Sequence, residues 1–201
     1  MIGRPVEQPP GRGRAFDAIG RFARSGSAMA FVGAWAFGEA IVLPVVPDVA
    51  LALLALASPR RAGALFGAVL VGALSGSILL AAAATAAPAS VDAMLLAIPG
   101  IDADTIATVD ARLAADGVLG FAQVGPGPPL KVYTVEWVEA GGSWPGLIVG
   151  VVVNRVTRIG PIVLVASLAG RLFPGWLRRH ERLVIPAYGV AWTVFYAVYW
   201  S

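Results

Sequence analysis

The chain has no cysteine and a single histidine, His180, in 201 residues. Disulfides, thiol catalysis and thiolate metal sites are therefore excluded, and one imidazole argues against a histidine-based metal cluster or catalytic triad. No nucleophile–base pair or metal-ligand set stands out, so the sequence predicts no enzyme, no cofactor and no metal. Charge is scarce as well. Asp, Glu, Lys and Arg make up 13% of the residues, against about 25% in a soluble domain. The first 24 residues are Gly/Pro/Arg-rich and end in AFDAIGRFAR. They lack the short apolar core and small-residue cleavage site of a secretory signal.

What the chain does have is apolar length. Hydrophobic residues make up 58% and the mean hydropathy is +0.77. Abundant Gly and Ala suit close helix packing in lipid. The pI near 9.8 comes from an arginine excess, which in this setting points to cytoplasmic loops and anionic lipid. No aromatic-basic pattern supports a nucleic-acid partner.

The most informative stretch is 25–58, SGSAMAFVGAWAFGEAIVLPVVPDVALALLALAS. Its only charges are Glu39 and Asp48, with Pro44 and Pro47 between them. A bilayer core takes about 20 helical residues to cross. This stretch is longer and broken in the middle. A carboxylate at that depth costs about 2.5 kcal/mol or more, so the pair marks a candidate transport site. A second broken element follows at 118–143, where Pro126, Pro128 and Pro129 interrupt the helix near Lys131, Glu136 and Glu139. Such backbone is tolerated at membrane depth only when it is buried in protein or lines a wet cavity.

Three unbroken spans are expected at about 62–87, 144–170 and 183–200, with Pro161 a kink in the second. Gly72 and Gly76 stand at GxxxG spacing, which is compatible with a homo-oligomer and common by chance in a Gly-rich chain. Residues 1 to about 14 read as a disordered basic arm. Residues 15–24 read as a short interfacial helix with Phe16, Ile19 and Phe22 on one side. Within the acidic segment 88–117, Ile106, Val109 and Leu113 share one face of an amphipathic helix, with Asp104 as N-cap and Gly117 as stop. Trp137, Trp144, Tyr196, Tyr199 and Trp200 read as interface anchors.

Charge bias orients these pieces. Residues 1–24 carry a net +3, Arg60 and Arg61 add +2, residues 171–182 carry +3, and residues 88–117 carry −4. If 25–58 and 118–143 are re-entrant hairpins entering from opposite faces, every basic segment lies inside and the acidic loop outside, as the positive-inside rule asks. The expected architecture is an all-α integral membrane protein: two opposed re-entrant helical hairpins packed with about three transmembrane helices, plus interfacial helices. The N-terminus is expected in the cytoplasm and the protein in the plasma membrane.

Several blocks resemble the DedA family, also called the SNARE-associated or VTT-domain family. FGEAIVLPVVPD (37–48) resembles its first block, an acidic-and-proline cluster followed by a Gly-rich span, here GALFGAVLVGALSGSILL. PPLKVYTVEWVEAGG (128–142) resembles its second block, with Pro128, Lys131 and Ala140–Gly141 in the places of its proline, basic residue and Ala-Gly pair. NRVTRIGPIVLVA (154–166) resembles the basic stretch of the shorter, YqaA-like branch. The resemblance covers roughly residues 30 to 175. It implies a membrane protein that moves lipid or lipid-linked anions, in bacteria tied to recycling of undecaprenyl phosphate and to proton-motive-force-dependent envelope homeostasis. Eukaryotic relatives resemble lipid scramblases. Two positions depart from the family pattern. Gly125 stands where an arginine is common, and Lys131 replaces an arginine, without its planar fork.

The candidate substrate and proton pathway is thus Glu39, Asp48, Lys131, Arg155 and Arg158, with Glu136 and Glu139 as supporting counter-charges to the arginines. Glu39 or Asp48 would carry a proton. Lys131 with Arg155 or Arg158 would receive a phosphate. The expected partners are membrane lipids, anionic or phosphate-bearing, and protons. A helix starting near Trp144 would place Arg155 about 16 Å in, and a shorter final turn would leave both arginines near a surface; the sequence leaves both open. It also leaves open a structural reading, in which the charges pair to pin a non-transporting scaffold or envelope-homeostasis assembly factor.

Overall fold

The computed structural model describes residues 13–125 and 127–199. Most of the expected basic arm, Pro126, Trp200 and the Tyr199 side chain lie outside the described residues. The described residues are all-α, with no strand. In chain order the helices are α1 (Arg14–Ala23), α2 (Gly26–Ile41), α3 (Asp48–Ala57), α4 (Ala62–Ala86), α5 (Pro88–Leu96), α6 (Ala103–Asp116), α7 (Leu130–Glu139), α8 (Trp144–Arg158), α9 (Gly160–Leu172), α10 (Pro174–Arg179) and α11 (Glu181–Tyr199).

Two helical stretches are long and apolar enough to cross a membrane: Pro59–Ala86, which contains α4, and Trp144–Leu172, which contains α8 and α9. The 25 residues of α4 reach about 37 Å at about 1.5 Å each, more than a bilayer core of about 30 Å. Val71 on α4 is 65% exposed and Val165 on α9 66%. Large aliphatic side chains left bare along such helices suit lipid as the outer solvent. The second stretch is jointed at Ile159, with Pro161 in the first turn of α9, where its missing N–H costs nothing.

By contrast, the apolar stretch 25–58 is divided. Sixteen residues of α2 give about 24 Å and ten of α3 about 15 Å, so neither crosses a bilayer alone. Both leave and return at one end of the bundle. The chain enters α2 directly from α1, and the end of α3 lies back on α1, where a Cβ on Gly20 would stand 3.1 Å from the Ala57 carbonyl oxygen. α2 packs along α4 and α3 along α9. A second interrupted segment, a 3-10 turn at Gly117–Phe121 and then α7, packs on α8 and α4. One continuous core joins these elements, with Val32, Leu51, Leu65, Val69 and Tyr133 fully buried.

The α2–α4 contact rests on glycine. A Cβ on Gly72 would overlap the Gly33 carbonyl, and one on Gly76 would stand 2.6 Å from the Phe37 carbonyl oxygen. The GxxxG pair therefore packs within the chain, bringing two backbones together as small-residue faces do in lipid.

Several local expectations are corrected. On α1 the packed face is Phe16, Gly20 and Ala23, while Phe22 is exposed and meets Phe31 edge-on. The N-cap of α6 is Asp102, whose Oδ1 accepts from the Thr105 N–H and hydroxyl, both at 2.7 Å. Asp104 lies in the first turn, where it has no free amide ahead of it to cap. Trp137 is half-buried and packs edge-on against Phe121, its indole donating to the Ser143 carbonyl. Trp144 is exposed, as an anchor would be.

At the base of α11, the buried Glu181 carboxylate accepts the N–H groups of Gly13 (2.7 Å), Ala15 (3.0 Å) and Phe16 (3.1 Å). It caps α1 from 165 residues away, in place of the side-chain cap that Gly13 cannot supply. Burial pushes the Glu181 carboxyl up, but these donors outweigh it and hold it below the usual carboxylate range.

Two predictions follow from this packing. In detergent, Gly72→Ala should destabilise the folded state by about 1–3 kcal/mol through overpacking. Gly67→Ala, with open space around its Cβ, should be neutral or stabilising by up to about 1 kcal/mol; equal effects would mean α2 and α4 are not in backbone contact. The lowered Glu181 value means that its carboxylate stabilises α1 docking at all pH above the ordinary Glu value near 4.3. That contribution is lost as pH falls through the lowered value. Hydrogen exchange of α1 amides, corrected for intrinsic rate, should show protection at pH 5–7 that disappears in the acid range, and Glu181→Ala should remove it at neutral pH. Protection in Glu181→Ala equal to that of the wild type at neutral pH would contradict the clamp.

Candidate functional site

The site forms where the two interrupted segments meet. α2 stops because the Gly38 carbonyl takes both the Val42 and Leu43 amides, each at 2.8 Å, and the prolines that follow cannot extend the helix. The break leaves backbone groups that side chains satisfy. Trp35 Nε1 donates to the Val45 carbonyl at 2.8 Å, the Val46 N–H donates to Tyr196 Oη at 2.8 Å, and Tyr188 Oη donates to the Val49 carbonyl at 2.6 Å. Tyr196 thus turns inward to the break instead of anchoring at the interface. Pro47 leads into α3, and Asp48 is the first residue of that helix, where a carboxylate meets the positive end of the dipole.

On the other segment, Pro129 is extended (φ −64°, ψ 148°) and α7 begins at the next residue. Pro128 sits one residue earlier in the same approach, and Gly125 turns the chain with φ +80°. Lys131 is then in the first turn of α7, buried, with Nζ donating to the Leu43 carbonyl at 2.8 Å. The two breaks touch through this bond. At its far end α7 closes on Gly141, left-handed at φ +76°, with the Gly142 N–H reaching back to the Trp137 carbonyl at 2.8 Å. That closure is the physical need behind the Ala140–Gly141 pair.

Arg155 resolves one open question: it is fully buried, on the face of α8 turned to the core, and Arg158 is half-buried one turn on. Arg155 Nη2 donates to Glu39 in a buried ion pair. Asp48 is buried under the electrostatic influence of Arg158, then Arg155 and Glu39. Glu39, Pro44, Lys131, Arg158 and Tyr196 line a cavity of about 20 Å³, room for about one water. Asp48 and Arg158 line a second, partly open cavity of about 110 Å³ together with Gly125, Ile162 and Trp192. Arg158 stands between the two.

All five pathway residues are therefore brought together, and two carboxylates face three cations. Asp48 Oδ1, Arg155 Nε and Nη1, and Arg158 Nη1 are buried without a hydrogen-bond partner among the described residues. Unsatisfied charged donors are costly, so this cluster has capacity for a further acceptor.

Glu136 and Glu139 do not join it. They lie on the outer half of α7, half-buried and exposed; the charges acting on Glu136 are Glu139, Asp110 and Asp92, and on Glu139 Asp92. The expectation that they counter the arginines is corrected. Glu136 lies five residues beyond Lys131, and the pair follows α7 away from the break. Removing them changes the sign of the cluster from net negative to +1. The sequence reading also missed the supporting residues Trp35, Tyr188 and Tyr196, as well as Asn154, whose Nδ2 holds the Phe121 carbonyl at 3.0 Å. Their signal was an aromatic or amide with one polar tip inside an apolar run, which needs a partner when buried.

Cutting the ion pair from one side should be more harmful than removing it whole. Arg155→Met or Glu39→Leu should each cost about 3–5 kcal/mol, because each strands a buried charge. The double variant should recover a large part of that loss in a double-mutant cycle of unfolding in detergent. Additive losses would show that the two side chains do not share a dry contact.

Comparison of the chain with family models, with curated proteins and with solved structures finds no match.

Proposed function

We propose that the chain is a multi-pass plasma-membrane carrier of the DedA kind, which moves lipid or lipid-linked phosphate across the bilayer without catalysing a reaction. In this reading 25–58 and 118–143 are re-entrant hairpins entering from opposite faces, and α4, α8–α9 and α11 from residue 183 onward are the spans. Opposed broken helices that meet near the midplane are a recurring carrier layout. The basic segments gather at one end and the acidic segment 88–117 at the other, which supports a cytoplasmic N-terminus.

The observation that carries the proposal is the buried cluster of three basic and two acidic side chains, formally +1, with unsatisfied guanidinium donors. A single phosphodiester monoanion brings that cluster to neutrality. A phosphomonoester dianion leaves it at −1, which one proton on Asp48 cancels. Substrate charge and proton uptake are thereby linked, and undecaprenyl phosphate and phospholipid differ in the number of protons required. The cavity of about 20 Å³ is too small for a phosphate group, whereas the cavity of about 110 Å³ beside Asp48 and Arg158 gives a charged headgroup a way to Arg158.

The same small cavity and the dry Glu39–Arg155 pair favour a second reading, in which the charges only pin a scaffold or assembly factor. Transbilayer movement of labelled polyprenyl phosphate and phospholipid in liposomes, with and without a pH gradient, separates the two. Asp48→Asn and Arg158→Gln are the fair variants, because Glu39→Gln would strand Arg155. For a carrier, Asp48→Asn should abolish the response to the pH gradient and Arg158→Gln should slow phosphate-lipid movement about tenfold or more. A folded wild type that moves neither lipid, or variants that move both at the wild-type rate, would leave the scaffold.

A further inference from the structure

Five arginines that lie far apart in the chain converge on one groove at the end of the bundle opposite the acidic segment. Arg24 follows α1, Arg60 and Arg61 form a 3-10 turn before α4, Arg171 is in the last turn of α9, and Arg178 is in α10. They line an open cavity of about 560 Å³ whose floor is Ala57, Ser58 and Gly170. It adjoins a cavity of about 230 Å³ under α1, with which it shares Arg24 and Arg178. The floor is built by a close approach, since a Cβ on Gly170 would overlap the Leu56 carbonyl and stand 2.7 Å from Pro59 Cγ.

Ordinary duties do not use up this charge. The C-termini of α3 and α9 point into the groove, and each carries about half a negative charge. Asp17 touches Arg178 at 3.4 Å, with both side chains about half exposed. Among the described residues, no acidic side chain lines the larger cavity. About three positive charges remain uncompensated in a concave site of ligand size. A topology signal needs basic residues at this face, but it does not need them around one cavity. The rim continues into exposed Leu172, Phe173 and Trp176, apolar side chains suited to the lipid boundary.

We propose that this arginine groove is a second binding site, separate from the buried cluster, for a phosphate group carrying more than one negative charge. The group is presented by a lipid headgroup at the membrane face or by a soluble diphosphate. Guanidinium forks grip phosphate oxygens in pairs, and basic pockets between helices at this face suit multiply charged headgroups. The site does not depend on the carrier reading, because binding is measured without transport.

The test uses the full chain in nanodiscs. In one arm, neutral phosphatidylcholine discs are titrated with inorganic pyrophosphate. In the other, the discs carry phosphatidate. Arg60→Gln/Arg61→Gln should weaken binding about tenfold or more, while Arg179→Gln/Arg182→Gln, an equal charge loss outside the groove, should change it about threefold or less. A loss in the pyrophosphate arm assigns a soluble ligand, and a loss confined to the phosphatidate arm assigns a lipid. Equal losses in both double variants, or no binding of either probe at low salt, would overturn the site. Should Arg60→Gln/Arg61→Gln fold poorly, Arg171→Gln against Arg182→Gln makes the same comparison at exposed positions.

Discussion

Burying an ion pair sets the terms for the rest of this molecule. Glu39 and Arg155 lose water entirely, and each ion costs several kcal/mol to desolvate. Neither can leave the other without stranding a charge, so α2 and α8 are tied at one point deep in the bundle. Just past that point α2 breaks, because Pro44 and Pro47 cannot extend it. The break in turn frees backbone groups that Lys131, Trp35, Tyr188 and Tyr196 satisfy. The interruption and its polar neighbours are one construction.

Much of this was legible in the sequence. Prolines inside long apolar runs announced both breaks, and the carboxylates beside them announced the charged centre. The span at 62–87 closely matches α4. What stayed hidden depended on side-chain direction and on distance along the chain. Glu136 and Glu139 share one helix with Lys131, and only the helix axis shows that they point to the acidic end. Phe22 looks like a partner of Phe16 and Ile19, yet Gly20 makes the close approach to α3 and Ala23 is buried on the same helix. Arg24, Arg60, Arg171 and Arg178 read separately as loop charges, because nothing local connects them. Sequence patterns describe a helix's own faces well, but they do not say which neighbour a face will meet.

Charge is arranged in three layers along the bundle. An acidic segment lies at one end, an arginine groove at the other, and a compact cluster with one excess positive charge between them. A field of constant sense along the axis draws anions towards the basic end. Because these layers come from exposed residues at the ends and buried ones at the centre, salt would screen the outer two and leave the middle almost untouched.

The contact between α2 and α4 has a mechanical meaning. With the Gly72 and Gly76 backbones seated on Gly33 and Phe37, sliding or turning α4 by one residue would drive Val71 or Ala73 into a carbonyl. These two helices therefore act as a single stiff strut. Any large displacement has to be absorbed elsewhere, and not easily at Ile159, which is fully buried and keeps helical hydrogen bonds on both sides, to the Arg155 carbonyl and from the Val163 N–H, each at 3.0 Å. Because the Glu39–Arg155 pair ties α8 to this strut, α2, α4 and the charged end of α8 would have to move as one body.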